Sequence, residues 1–222
     1  MRRLRSISIV AAVFLATTLA LPLLLLAGLL FDIAVLAMGR RRFVALRLIL
    51  FGWIYLGTEI LGIIALGVVW LASLGGRIDR FFIHPTYSIQ RWWAGAVFRS
   101  IRGLFNLRFE VDGSGLVTPG PIMVFMRHAS IVDNLLPSVF ITAAHGIKLR
   151  YVLKHELLAD PALDIAGNRL PNYFVDRRSK DPAGEVAAIG RLGAGLRADE
   201  GVLIYPEGTR FTSARRTRAL EH

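Results

Sequence analysis

The sequence predicts an α/β protein in which N-terminal transmembrane or re-entrant helices precede a mostly parallel sheet with flanking helices. Long apolar runs are confined to residues 1–102, and the mean hydropathy of +0.52 is high for a soluble protein. After Gly103, short strand patterns alternate with helical ones, as in α/β domains. We therefore expect membrane-anchoring helices in residues 1–76, an amphipathic interfacial connector in 77–102 and a separate domain in 103–222.

The first apolar run covers residues 7–31 and follows a basic segment. A helix of this length crosses a hydrocarbon layer of about 30 Å. A signal peptide is the alternative, but its apolar region spans only about 7–15 residues and no small-residue cleavage site follows. We therefore favour a retained anchor, in which Pro22 marks a kink or a re-entrant turn.

The second apolar run covers residues 43–74 and is too long for one upright span. Glu59 lies near its middle, so its carboxylate is either paired or placed at an interface, or it marks a break between two shorter helices. A two-helix hairpin puts the N-terminus and the chain after residue 74 on one side. The distribution of arginines only weakly favours the cytoplasmic side for that half.

Charge is concentrated in the membrane half of the chain. Of a net charge of +11, most comes from residues 1–102, which carry 12 arginines and 3 acidic residues. Because these arginines flank apolar segments, anionic phospholipids are the expected counter-charge rather than nucleic acid. The absence of cysteine excludes disulfides, thiolate catalysis and cysteine-ligated metals.

From residue 88 onward the pattern becomes that of a globular domain. Residues 88–104 have helical periodicity with tryptophans and arginines, which fits either an interfacial helix or a core-facing one. Beyond it we predict strands at residues 105–111, 122–126, 148–153, 173–175 and 202–205, and helices at 131–144 and 185–197.

The first candidate site residues are His128 and Asp133, which follow the predicted strand 122–126. An imidazole titrates near neutral pH and suits general-base chemistry, and a carboxylate fixes its tautomer. The two side chains meet only if His128 lies in the loop and Asp133 in the first helical turn. Alternatively, Asp133 is a helix N-terminal acid and His128 an incidental loop residue.

Two further motifs also follow predicted strands. Tyr205-Pro206 leads into Glu207, Gly208, Thr209 and Arg210, where glycine lets a phosphate approach the backbone and the arginine offers a planar fork. The alternative for this motif is a strand-ending turn, since proline and glycine are common turn residues. Arg177 follows the strand 173–175 and either offers a second arm for the same phosphate or belongs to a solvated surface loop. Sites collect at the carboxyl ends of parallel strands, so the joint placement of the three motifs favours one common site.

In this order and spacing, the motifs resemble those of the glycerolipid acyltransferase family, especially the 1-acylglycerol-3-phosphate (lysophosphatidic acid) acyltransferases. The resemblance covers about residues 103–212, which makes residues 103–222 an acyltransferase domain. It implies His128 as general base and Asp133 as its partner. It also implies phosphate or glycerol binding by Arg177, Glu207, Gly208, Thr209 and Arg210. The family's fourth, proline-containing block is missing, so we expect the C-terminal part of the domain to be absent.

The resemblance further implies a reaction and its partners. An acyl group moves from a thioester, either acyl-CoA or acyl carrier protein, to the hydroxyl of a lysophospholipid, with no metal or cofactor. With 1-acylglycerol-3-phosphate the product is phosphatidic acid. The alternatives are another lysolipid acceptor, or a non-catalytic membrane protein that binds anionic lipid. We expect an integral membrane protein with its catalytic domain on the cytoplasmic face.

Overall fold

The computed structural model describes residues 2–39, 43–127, 130, 132–176, 178 and 181–206. The helices are α1 (Arg2–Ala37), α2 (Ala45–Ala72), α3 (Ile83–Phe105), α4 (Pro161–Arg169) and α5 (Pro182–Leu192). The strands are β1 (Ile122–Phe125), β2 (Lys148–Lys154), β3 (Tyr173–Val175) and β4 (Glu200–Ile204). Short 3-10 turns and a π-helical segment, Ser138–Ala143, connect them.

Helices α1 and α2 form an antiparallel hairpin. Each contains an 18-residue stretch apolar enough to cross a membrane, which weakly favours membrane association. The helices approach closely at Gly28, where an added Cβ would lie 2.6 Å from the side chain of Ile49. Trp53 donates its indole N–H to the Thr18 hydroxyl at 3.0 Å. Pro22 lies inside a continuous α1, and α2 is likewise unbroken at Glu59.

The loop end of the hairpin is closed by Asp32, which is buried on α1. Its carboxylate accepts the backbone N–H groups of Val44, Ala45 and Leu46 at 3.0 to 3.1 Å. These are N–H groups at the start of α2, which have no partner within their own helix. Asp32 therefore caps α2 from the neighbouring helix.

The four strands form a parallel sheet in the order β1-β4-β2-β3. This confirms the predicted α/β fold. Short apolar runs identify such strands because both faces of a parallel sheet are covered. Tyr151 and Leu203 pair in the middle of the sheet and belong to one buried cluster.

The strand predicted at residues 105–111 is wrong. Over these residues, all of which the structure describes, α3 continues through Phe105 and residues 107–113 are irregular. The alternating apolar side chains are used in ring contacts instead. Phe105 packs edge-on against Phe51 with centroids 6.1 Å apart, and Phe109 packs against Phe98 at 4.9 Å.

Two of the predicted helices differ from the elements that the structure shows. The predicted helix 131–144 is a 3-10 turn, Val132–Asn134, followed by the π-helical segment, with Pro137 between them. Proline lacks the N–H that a continuous α-helix would use there. The predicted helix 185–197 is α5, which starts earlier because Asp181 caps it by accepting the Gly184 N–H at 2.9 Å.

Helix α3 packs with its apolar face towards the interior, where Ala94, Val97, Phe98 and Ile101 join Leu135 in a buried cluster. This is the arrangement of a core-facing helix. Trp92 remains exposed on its outer side. Helix α3 thus lies between the membrane hairpin and the domain that carries the sheet.

Candidate active site

The carboxyl ends of β1 and β4 lie side by side. Met126, just after β1, donates its backbone N–H to the Ile204 carbonyl at 3.0 Å. Neighbouring strands are about 4.8 Å apart, so the segments that leave β1 and β4 start next to each other. These segments lead to His128 and to Glu207, Gly208, Thr209 and Arg210, all of which lie outside the described residues. The pairing of His128 with Asp133 therefore stays a prediction.

Asp133 lies in the 3-10 turn Val132–Asn134, one short loop after β1. One of its carboxylate oxygens accepts the Ser130 backbone N–H at 2.5 Å. Ser130 in turn accepts the Val132 N–H on its hydroxyl oxygen at 2.9 Å. These bonds hold Ser130 and Val132 beside the half-buried Asp133 carboxylate.

Tyr205 connects this turn to the end of β4. Its hydroxyl donates to the backbone carbonyl of Asp133 at 3.4 Å. Burial, together with the nearby Asp133 charge, raises the pKa of Tyr205 above its ordinary value. The phenol therefore stays protonated at neutral pH and remains a hydrogen-bond donor. The two loops that carry the predicted catalytic and phosphate-binding motifs are thus joined by a direct contact.

The third motif follows β3, whose carboxyl end lies at the same edge of the sheet. In the strand order β3 is two positions from β4, or about 10 Å. Glu185 of α5 fixes this end by accepting the Tyr173 hydroxyl at 3.0 Å and the Asp176 N–H at 3.3 Å. Arg177 itself lies outside the described part of the chain. The parallel topology nevertheless directs all three motifs to one edge.

A cavity of about 410 Å³ runs from this edge into the interface between the domain and the membrane hairpin. Asn134, Leu135 and Tyr205 line it beside the Asp133 turn. Its other lining residues are mostly apolar and come from α2, α3, α4 and β2, among them Gly62, Leu66, Trp93, Ala162 and Ala166. This cavity was not predicted from the sequence, where the small residues of its wall, such as Gly62 and Ala166, are the signal of close helix packing that could have indicated it.

A polar cluster joins the cavity wall to the membrane hairpin. The Tyr55 hydroxyl donates to Asp160 at 2.9 Å, and Asp160 also caps α4 by accepting the Leu163 N–H at 2.8 Å. Glu59 is only 1% exposed, and its carboxylate accepts the Ala162 N–H at 2.9 Å. Of the alternatives for Glu59, the structure shows a side chain at the interface between α2 and α4, where one carboxyl oxygen accepts an N–H at the start of α4.

The arrangement offers a polar edge next to an apolar cavity. Among the residues that the structure describes, no group of three or more His, Cys, Asp or Glu side chains could hold a metal ion. The chemistry available at the described edge is that of Asp133, Ser130, Asn134 and Tyr205. This combination suits a substrate with a reactive polar group and a long apolar tail.

Comparison with known proteins identifies the domain. The family model described as Acyltransferase matches residues 108–221. No curated protein and no solved structure matches the chain. The match includes β1 to β4 and all three motifs, and it covers half of the chain. This chain therefore belongs to the acyltransferase family.

Proposed function

We propose that this acyltransferase moves a fatty acyl group from a thioester to the free hydroxyl of a lysophospholipid, with 1-acylglycerol-3-phosphate as acceptor and phosphatidic acid as product. The observation that carries the proposal is the position of the Asp133 turn. It lies at the end of β1, contacts Tyr205 at the end of β4, and borders an apolar cavity. A reactive carbonyl at this edge can place its acyl chain in the cavity.

In the proposed reaction, His128 accepts the proton of the acceptor hydroxyl. The hydroxyl oxygen attacks the thioester carbonyl, an ester bond forms, and the carbon–sulfur bond breaks. The proton held by His128 passes to the departing thiolate. Asp133 orients the imidazole and stabilises its charged form. Because the nucleophile is the acceptor itself, the reaction needs no covalent enzyme intermediate.

The remaining motif residues are assigned to the acceptor. Its phosphate and glycerol bind at the edge formed by the ends of β3 and β4, through Arg177, Glu207, Gly208, Thr209 and Arg210. A planar guanidinium binds phosphate through two parallel hydrogen bonds. The substrates are the lysophospholipid and either acyl-CoA or acyl carrier protein, with no cofactor.

The apolar cavity supports an acyl substrate by its size and its lining. Its volume of about 410 Å³ lies within the range of about 300–1,000 Å³ that is usual for small-molecule sites. Gly62 and Leu66, which belong to the membrane hairpin, form part of its wall. An acyl chain bound there remains next to the bilayer that supplies the lipid acceptor.

The proposed setting is a membrane with the domain on its cytoplasmic face. The N-terminus of α1 contacts α4 of the acyltransferase domain, which supports a hairpin whose two outer ends lie on one side. Membrane phospholipids surround the hairpin in this arrangement. The side itself is proposed from the weak arginine bias of the sequence.

The test is acceptor-dependent release of free thiol by the purified full chain in lipid nanodiscs. Since the protein has no cysteine, a thiol reagent reports only the released CoA or carrier-protein thiol. We expect release with palmitoyl-CoA and 1-acylglycerol-3-phosphate, and formation of phosphatidic acid by mass spectrometry. Preference for a different lysolipid in a matched panel would reject the assigned acceptor. No release with any acceptor and either donor would reject the function.

A further inference from the structure

The starting observation is a fully buried carboxylate on α4 that binds the N-terminus of α1. Asp164 has a side-chain exposure of 0%. Arg2 donates from one guanidinium nitrogen to both Asp164 oxygens at 3.1 Å. Arg3 donates through Nε at 2.9 Å and through Nη2 at 3.3 Å. Asn168, one turn further along α4, adds a hydrogen bond at 2.8 Å.

This contact lies on the side of α4 that faces away from the cavity. The cavity is lined by Ala162, Leu163, Ala166 and Gly167 of this helix. On a helix with 3.6 residues per turn, positions 164 and 168 fall on the opposite side. Helix α4 is therefore a thin wall, with the cavity on one face and the N-terminus of the membrane hairpin on the other.

The two arginines keep the buried Asp164 side chain charged. Burial raises the pKa of Asp164, but the hydrogen bond from Arg3 and the charges of Arg3 and Arg2 outweigh this effect, so the net pKa lies below its usual value. The carboxylate is therefore charged throughout the neutral range. Removing one partner of a buried, hydrogen-bonded charge group leaves an uncompensated charge and is strongly unfavourable.

Leu66 of α2 packs against Ala162 and Ala166 of α4, and the other hydrogen bonds described between α4 and the hairpin lie near the two ends of α4. At the start of α4, the carboxylate of Glu59 accepts an N–H, as described above. At its end, Arg169 donates to the Leu66 carbonyl at 2.9 Å. Asp164 instead binds α1, and it lies between the two ends of α4. It is close in sequence to Ala166 and Gly167, which form part of the cavity wall on the other side of the helix.

We propose that Asp164 is a positioning residue for long acyl chains. By binding Arg2 and Arg3, it fixes α4 against the membrane hairpin. It thereby maintains the part of the cavity that holds the distal carbons of a long acyl chain. The proposal rests on the proposed acyl transfer. Short chains occupy the end of the cavity next to the Asp133 turn and do not reach this wall. Long chains extend to Leu66 and Ala166, where an unsupported α4 provides a poorer surface.

The first test compares donors of different length in nanodiscs. We expect Asp164→Asn to lower kcat/KM for a palmitoyl donor on the order of tenfold relative to an octanoyl donor. Replacing Arg2 and Arg3 together by alanine should give the same chain-length-dependent loss, and the triple variant should lose no more. Arg5→Ala is the matched control, because Arg5 is an exposed arginine of the same helix terminus outside the contact. Equal loss for all donors, additive effects, or an Arg5→Ala effect of the same size would overturn the proposal.

The second test does not depend on activity. Cysteines introduced by Ser6→Cys and Asn168→Cys are the only thiols in the chain and leave both Arg2 and Arg3 in place. Ser6 lies one turn along α1 from Arg2, on the same face, and Asn168 lies one turn along α4 from Asp164. A short bismaleimide should join them efficiently when Asp164 is present and poorly in the Asp164→Asn background. Failure to join them with Asp164 intact rejects the contact itself. If the wild-type chain releases no thiol while the cross-link forms, the proposed function fails and the docking of α1 on α4 survives.

Discussion

Replacing Gly62 by leucine is expected to shorten the acyl chain that the protein accepts. Gly62 is buried on α2 and lines the cavity. A Cβ added here would lie 3.5 Å from Trp93 Cδ1 and 4.0 Å from Ala162 Cβ, which are ordinary contact distances. The first carbon therefore fits without a shift, and the rest of the leucine side chain extends into the cavity. Because leucine also has the higher helix propensity, α2 should not be weakened.

The size of the effect follows from the space that leucine takes. Its three carbons beyond Cβ displace about three methylenes of a bound chain, each worth about 0.8 kcal/mol when buried. The sum of about 2.4 kcal/mol corresponds to a loss of roughly 60-fold in kcat/KM. The loss applies to donors long enough to reach Gly62, whereas short donors keep their rate. Gly62→Ala adds only one carbon and should cost no more than a few-fold.

The assay is thiol release with a series of acyl-CoA donors from octanoyl to stearoyl at saturating acceptor. Gly67→Leu is the matched control, because Gly67 lies on the exposed side of the same helix and has nothing within 4 Å of an added Cβ. The control should keep the wild-type chain-length profile. A uniform loss across all donors for Gly62→Leu, or an unchanged profile, would refute the assignment of this cavity to the acyl chain.

Two further predictions concern stability. Asp32→Ala removes the acceptor for three N–H groups at the start of α2, so the free energy of unfolding should fall by about 0.5–2 kcal/mol. The measurement is the midpoint of thermal unfolding in nanodiscs, which should be lower in the variant. An unchanged midpoint would contradict the capping role of Asp32. Burial raises the pKa of Glu200, but the Arg197 N–H and the charge of Arg150 outweigh it and leave the net pKa below its usual value. The contribution of the Glu200 charge to the free energy of unfolding is therefore fully present above the pKa of about 4.3 that glutamate has in the unfolded chain. It is lost as the pH falls through the lower pKa that Glu200 has in the folded protein. Glu200→Gln should lower the free energy of unfolding relative to the wild type at pH 7, and by less at pH 3. A difference between the two proteins that does not change with pH would exclude this charge effect.

The elements that could be predicted from sequence were those with a strong local pattern. Strands β1, β2, β3 and β4 appear as short apolar runs, because a parallel strand is covered on both faces. Residues 105–111 alternate between apolar and polar positions like a half-buried strand, but here Phe105 and Phe109 pack against the aromatic rings of Phe51 and Phe98. Local periodicity does not distinguish these two causes.

Helix α4 was missed although its start signal is present. Asp160 and Pro161 form a cap and first turn, but the helix is short, with buried polar residues and little apolar periodicity. Two of its polar residues have distant partners: Asp164 binds Arg2 and Arg3, and Asp160, besides capping the helix, binds Tyr55. Such contacts join residues more than a hundred positions apart and leave no signature in a local window.

The edge of the sheet from which the candidate motifs leave could be predicted for a different reason. The motifs are short and each follows a strand, so parallel topology alone brings them to one edge of the sheet. The cavity was not predictable, because its wall combines Gly62 of the membrane hairpin with Ala162 of α4 and Tyr205 after β4. Its shape depends on how the hairpin packs on the domain.

In the proposed mechanism, the carboxylate of Asp133 in the turn after β1 orients the base that activates the acceptor. The most direct measurement is the single-turnover rate of acyl transfer by Asp133→Asn beside His128→Ala, in nanodiscs with saturating donor and acceptor. Both variants should lose about 10²–10⁴-fold, and the double variant should be no slower than His128→Ala alone. Asp133→Asn with the wild-type rate, or a double variant in which the two losses multiply, would contradict the account.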